Sequence, residues 1–170
     1  PNVKEGGANF GLKPAIAVQV VSAVRKVFSG PILVKLSPNA ENIVEMAKAC
    51  RRAGADGISL INTLLGMAID IEKRQPVFRN IVAGLSGPAV RPVALRMVYD
   101  VARAVDCPVV GLGGIATWQD AVEFLLAGAS AIQVGTAVFQ NPQAPLEIID
   151  GIQTYMKRHG FEHVSEIRLR

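Results

Sequence analysis

Cysteine and histidine are scarce, with two of each in 170 residues. Cys50 lies in the helical-looking run AKACRRAG and Cys107 just ahead of an apolar run. Both read as small side chains at least half buried, not as a disulfide framework. His159 and His163 fall in a polar tail without ligand spacing, so no metal site is expected. Aromatic residues make up only 5% and charged residues 19%. The net charge is +4, yet the Lys and Arg residues are scattered and no basic cluster is interleaved with aromatics. That argues against a nucleic-acid surface and leaves room for a small anionic ligand. No apolar run is long enough to span a bilayer and no secretory leader is evident, so with so few cysteines the expected location is the cytoplasm. Neither GxGxxG nor GxxxxGK[ST] occurs, so the usual dinucleotide fingerprint and the P-loop are both absent. No Ser or Cys triad is recognisable, and no strong general base stands at a strand end.

What is present is alternation. Half of the residues are hydrophobic, and sixteen glycines and ten prolines punctuate the apolar runs. Residues 14–28 have apolar positions at helical spacing, and residues 32–36 (ILVKL) read as a strand. Residues 40–53 read as a helix closed by Gly54, and residues 57–61 (GISLI) as a strand. Residues 62–89 read as a long irregular connection, a length that in a compact domain usually signals function. Then follow a helix over 91–105, a strand over 108–112, a helix over 118–127 capped by Thr117 and closed by Gly128, a strand over 131–134 and a helix over 142–158. The last twelve residues are polar and give no clear pattern.

Near-continuous apolar strands alternating with amphipathic helices predict parallel strands covered on both faces. Four such units are about half of a (β/α)₈ barrel, which takes roughly 200 residues or more. The fold expected is therefore α/β, the C-terminal half of a TIM barrel, with residues 1–170 lacking an internal boundary. A doubly wound sheet fits the pattern as the alternative. The chain opens on Pro1-Asn2-Val3 with no element before its first glycine loop, so it reads as the later part of a longer chain.

The loops after the last two strands, Gly113-Gly114 and Gly135-Thr136, are the most informative. In a barrel such loops commonly hold a phosphate. Glycine lets backbone N–H groups approach an anion closely, and Thr136 adds a hydroxyl. Tight turns are the plainer reading of the same glycines. Lys35 inside an apolar strand either reaches the barrel mouth as a fixed cation or snorkels outward. Asn62 and Thr63 end a strand, where barrels place ligand-binding groups. The amide suits a ring with alternating C=O and N–H groups, although an Asx-turn explains it as well. Asn2 is in a similar position within PNVKEGG.

The motifs PNVKEGG, VKLSPN, INTLLGMAID, GLSGPAVRP and GLGGIATWQDAVEFLLAGASAIQVGTA, in this order, resemble those of the class 1 dihydroorotate dehydrogenases across essentially the whole chain. Ser-Pro-Asn after Lys35 and the Ile-Asn-Thr run resemble the NAD-linked type. The resemblance implies FMN at the mouth of a barrel and conversion of dihydroorotate to orotate in pyrimidine biosynthesis, with a cysteine base taking a proton from carbon 5. It implies that Lys35, Ile61, Gly87, Gly113, Gly114, Gly135 and Thr136 contact the flavin, and that Asn2, Asn62 and Thr63 contact the substrate. The family's cysteine stands immediately before the position of Pro1, so no catalytic residue is expected within the chain, which alone should be inactive. Implied partners are the N-terminal half of the barrel, further subunits of a homo- or hetero-oligomer, and an electron-transfer subunit with FAD and iron–sulfur that uses NAD. A dihydropyrimidine dehydrogenase-like flavin domain is similar in the same motifs, and a non-redox barrel binding a phosphorylated metabolite would share the glycine loops.

Overall fold

The structure, a computed structural model, describes residues 10–169. Asn2 lies outside them. Helix α1 (Pro14–Val27) leads into strand β1 (Leu33–Leu36), helix α2 (Ile43–Arg52) and strand β2 (Gly57–Leu60). Four short strands follow: β3 (Leu64–Met67), β4 (Ile69–Asp70), β5 (Gln75–Pro76) and β6 (Val82–Leu85). Helix α3 (Arg91–Ala102), strand β7 (Val109–Leu112), helix α4 (Trp118–Leu126) and strand β8 (Ala131–Gln133) complete the alternating part. Helices α5 (Ala137–Gln140) and α6 (Ala144–His159) come last.

The main sheet has the order β1-β2-β7-β8, all parallel. Each strand therefore lies beside the next one in the chain, and the order never reverses. A doubly wound sheet requires such a reversal. With right-handed crossovers throughout, an unreversed order places every connecting helix on one face. These are the βα units of a barrel. The core lies between that face and the helices. Met46, Cys50, Ile58, Leu60, Val98, Val101, Val109 and Phe124 are almost fully buried there.

The opposite face departs from the sequence expectation that both would be covered. Lys35, Ser59, Val110 and Ala131 stand in register across the four strands, and Leu112 pairs with Gln133. On this side Leu33 is 55% exposed, and Lys35, Ala131 and Gln133 are exposed as well. Only β2 is buried along its whole length. Among the described residues nothing buries the rest; Lys35 alternates with Leu36, which packs into the core against the helices, so Lys35 faces away from them and does not snorkel outward between them. The residue instead stands on the inner, barrel-type face.

The stretch 62–89 is also not irregular. It holds two antiparallel ribbons, β3 with β6 and β4 with β5. Their alternation was hidden because the exposed face is itself apolar: Leu65, Met67, Ile69 and Val82 are all exposed. The predicted helix over 142–158 becomes α6, preceded by the separate turn of α5. The polar tail folds back onto α4, where Ile167 is buried with Val122 and Leu125. His159 and His163 are exposed, as expected.

Helix ends follow local chemistry. Asn42 caps α2 by accepting the N–H of Val44 and Glu45 at 3.1 Å each. Gly54 and Gly128 take φ values of 109° and 111° just past α2 and α4, where L side chains are strained. At the rim opposite the strand ends, the Arg25 guanidinium donates to the carbonyls of Phe28, Gly30 and Gly54 and pairs with Asp56.

Helix α6 approaches α4 through Gly151, where an added Cβ would lie 2.1 Å from Trp118 Cγ and 2.3 Å from its Cβ. Alanine is favoured over glycine by about 1 kcal/mol in a helix interior, but overpacking against a ring root costs about 1–3 kcal/mol. Gly151→Ala is therefore expected to lower the denaturation midpoint of the full-length protein, whereas a rise would show that α6 and α4 part easily.

Candidate functional site

Parallel strands end on one edge. At that edge a cleft is lined by Lys35 from β1, by Ile61, Asn62 and Thr63 after β2, by Gly113 and Gly114 after β7, and by Gly135 and Thr136 after β8. Gly87, following β6, lines it too. Every site residue expected from the sequence, apart from the undescribed Asn2, is thus brought to one place. The strand order sets the layout: Lys35, Asn62 and Thr63 belong to the β1–β2 side, the glycine loops to the β7–β8 side.

The glycine loops carry free donors. The N–H groups of Gly113, Gly114, Gly135 and Thr136 have no hydrogen-bond acceptor among the described residues. Unpaired backbone donors facing a cleft form a site for an anion. The glycines, however, differ in why they are glycine. Gly114 has φ 78°, and a Cβ there would lie 2.8 Å from Gly87 O and 2.9 Å from Arg91 N. Gly113 has φ 124°, and its Cβ would meet Ala94 Cβ at 2.8 Å. Both are required by the chain's own packing. Gly135 is not: among the described residues a Cβ there meets nothing within 4 Å.

Neighbouring loops are tied together. Asn39, in the Ser-Pro-Asn turn after β1, donates Nδ2 to Thr63 O at 3.0 Å and accepts the N–H of Leu65 at 3.1 Å. One amide thereby fixes the backbone that displays Asn62 and Thr63. The strand β6 crosses Thr63 closely, with the Gly84 Cβ position 2.5 Å from Thr63 Oγ1. The Thr136 hydroxyl donates to Ser86 Oγ at 2.9 Å, joining the β8 loop to the end of β6. Behind the β7 loop, Asp120 accepts the N–H of Ala116 at 3.0 Å and of Thr117 at 2.9 Å, and pairs with Arg91. Burial would raise the Asp120 carboxyl. The two N–H groups, the Thr117 hydroxyl and the Arg91 charge outweigh it and hold it below the usual carboxylate range. It stabilises the fold above the ordinary carboxylate pKa and loses that contribution as pH falls through its own lower value.

Asn62 forms no Asx-turn. Its side chain hydrogen-bonds to nothing among the described residues, whereas Asp70 and Asn141 do accept from the backbone two residues on. Lys35 has no acidic partner among the described residues. Free polar groups on a cleft wall are available to a ligand. Neither cysteine reaches the cleft lining. Cys50 is buried in α2 and Cys107 half buried before β7, and burial pushes both thiols up, away from the thiolate a base requires. Sequence reasoning missed Asn39, Ser86, Gln133 and Asp120. Asn39 lay in a quoted motif without a role, and Asp120 was visible as the third residue after the Thr117 cap. No described group of three or more His, Cys, Asp or Glu residues has metal-binding geometry. No described helix is long and apolar enough to cross a membrane.

The two kinds of glycine separate in a stability measurement. Gly114→Ala combines a disfavoured φ with a backbone clash and should destabilise the full-length protein by about 1–3 kcal/mol. Gly135→Ala should change stability by less than about 0.5 kcal/mol. Equal melting shifts for the two would show that Gly135 also serves packing.

Comparison with known proteins supplies a family. The family model for dihydroorotate dehydrogenase matches residues 1–156. The chain is 58% identical over 168 residues to the catalytic subunit of dihydroorotate dehydrogenase B (NAD(+)) from Petrotoga mobilis, covering 99% of this chain and 56% of that protein. It is 58% identical over 167 residues to the protein of the same name from Alkaliphilus oremlandii, covering 98% and 55%. It is 56% identical over 167 residues to that of Bacteroides fragilis, again covering 98% and 55%. The chain thus spans about half the length of the curated relatives it matches. By this match and by its singly wound βα units, the chain belongs to the dihydroorotate dehydrogenase family.

Proposed function

We propose that the full-length protein is an FMN-dependent oxidoreductase converting dihydroorotate to orotate, and that residues 1–170 form the C-terminal half of its single barrel domain. The observation that carries this is the composition of one cleft. Unpaired N–H donors of Gly113, Gly114, Gly135 and Thr136 lie on its β7–β8 side, and Lys35 with Asn62 and Thr63 on its β1–β2 side. The donors fit a phosphate. The unfilled space above Gly135 fits a group brought close to backbone.

In this reading Gly113, Gly114, Gly135 and Thr136 hold the FMN phosphate, with Gly87 and Ile61 as further contacts. FMN, when bound, supplies the two-electron acceptor. Lys35 holds a fixed positive charge on the inner face of β1, where it offsets negative charge that accumulates as electrons arrive. Asn62 offers donor and acceptor together, so it orients a pyrimidine-type ring and Thr63 assists; Asn2 is assigned the same task by resemblance. The resemblance assigns proton abstraction to a cysteine expected just before the position of Pro1, and neither Cys50 nor Cys107 lines the cleft. The relatives are named as NAD(+)-type catalytic subunits. We extend this to an electron-transfer subunit carrying FAD and iron–sulfur that passes electrons to NAD, in an oligomer located in the cytoplasm. A non-redox barrel for a phosphorylated metabolite would use the same donors, but it leaves Lys35 and Asn62 without a task.

The reading is tested on the purified full-length protein. A flavin absorption band and orotate formation from dihydroorotate are expected, and their joint absence overturns it. Lys35→Ala should slow dihydroorotate oxidation by about tenfold to a hundredfold, as loss of one charge-assisted contact of about 1.5–3 kcal/mol implies. It should lower the flavin potential and leave stability nearly unchanged, because the ammonium has no acidic partner among the described residues. Unchanged turnover and potential would remove Lys35 from the site.

A further inference from the structure

Two charged residues outside the cleft bear on its phosphate end. Asp120 is 8% exposed, and its carboxylate faces the back of the loop that follows β7. One oxygen accepts the N–H groups of Ala116 and Thr117. The other pairs with Arg91, the first residue of α3, which also approaches Glu123 Oε2 at 3.4 Å. Arg91 in turn borders Gly114: its N and Cβ stand 2.9 and 2.8 Å from where a Gly114 Cβ would be, with Gly87 O at 2.8 Å. The Asp120 carboxylate therefore fastens residues 113–117 to the start of α3 and, through it, to Gly87. Gly87, Gly113 and Gly114 line the cleft, whereas Arg91 and Asp120 do not.

We infer that Asp120 and Arg91 are positioning residues that fix which N–H groups of the β7 loop point at the phosphoryl end of the ligand. The inference rests on the flavin reading above. By occupying the N–H groups of Ala116 and Thr117, the carboxylate leaves those of Gly113, Gly114 and Ile115 as the donors of this loop without an acceptor among the described residues. A bare carboxylate behind an anion site would repel the anion, and the Arg91 guanidinium, shared with the more exposed Glu123, offsets that repulsion. Asparagine at position 120 keeps the shape but has a single acceptor oxygen. It can accept either the N–H groups of Ala116 and Thr117 or the Arg91 guanidinium, and its NH2 then faces the other, so the link from the loop to α3 is broken. If Asp120 served only as the third residue of the capping box of α4, its loss would weaken all ligands alike or only the fold.

The measurement is the ratio of riboflavin to FMN dissociation constants, read by flavin fluorescence on the flavin-stripped full-length protein. Riboflavin lacks the phosphate, so the ratio reports the phosphate end alone. Asp120→Asn is expected to reduce the ratio at least tenfold. Asp120→Glu, which keeps the carboxylate, should hold it within about threefold, as glutamate is the usual residue at this capping-box position. Arg91→Lys keeps the charge and loses the fork. It should reduce the ratio as well, and it supplies the test should Asp120→Asn fail to fold. A ratio unchanged in both Asp120→Asn and Arg91→Lys overturns the inference while leaving the flavin reading intact. A wild-type protein that takes up neither flavin overturns both.

Discussion

Strands that run parallel must all end at the same edge, and the backbone just past each end has no further strand to pair with. The site depends on that constraint. The unreversed order β1-β2-β7-β8 places four such ends side by side, and the N–H groups of Gly113, Gly114, Gly135 and Thr136 are unpaired there among the described residues. In a folded protein an unpaired backbone donor is costly unless water or a ligand satisfies it. The cleft is thus defined first by backbone, and side chains add charge and hydrogen-bonding character to it.

Loops of this kind need restraint to present donors in fixed directions. Here each is held by its neighbour, not by its own strand. Asn39 holds the backbone at 63–65, the Ser86–Thr136 hydrogen bond joins two strand ends, and the buried Asp120 carboxylate anchors the β7 loop to α3. The β3–β6 ribbon passes Thr63 at Gly84, and both ribbons present apolar side chains outward. The inner face of the sheet, with Leu33, Ala131 and Gln133 exposed, is the surface that the proposed other half of the barrel would cover.

Much of this was legible in the sequence. The βα alternation, the Thr117 cap and the glycines at 54 and 128 are local signals, and local chemistry set them. The cleft residues were legible because barrels display function at strand ends, and the ordered motifs tied those positions to a family. Three features were not legible. The ribbons were hidden since their exposed faces are as apolar as a core, which erased the period-two signal. The uncovered inner face could not be read from β1, as an apolar strand looks the same whether its partner is present or not. The roles of Asn39 and Asp120 are tertiary, linking residues 24 to 29 positions apart. Gly113 and Gly114 looked identical to Gly135 in sequence, and only the space around each separates packing from ligand approach.

The central claim is that the unpaired N–H groups after β7 and β8 receive the phosphate of a bound flavin. The most direct measurement is a crystal structure of the full-length protein with its ligand. The account predicts a phosphate within hydrogen-bonding distance of the N–H groups of Gly113, Gly114, Gly135 and Thr136, with Lys35 Nζ at the opposite end of the same ligand. A phosphate bound elsewhere, or a ligand that leaves those four groups facing water, would contradict it.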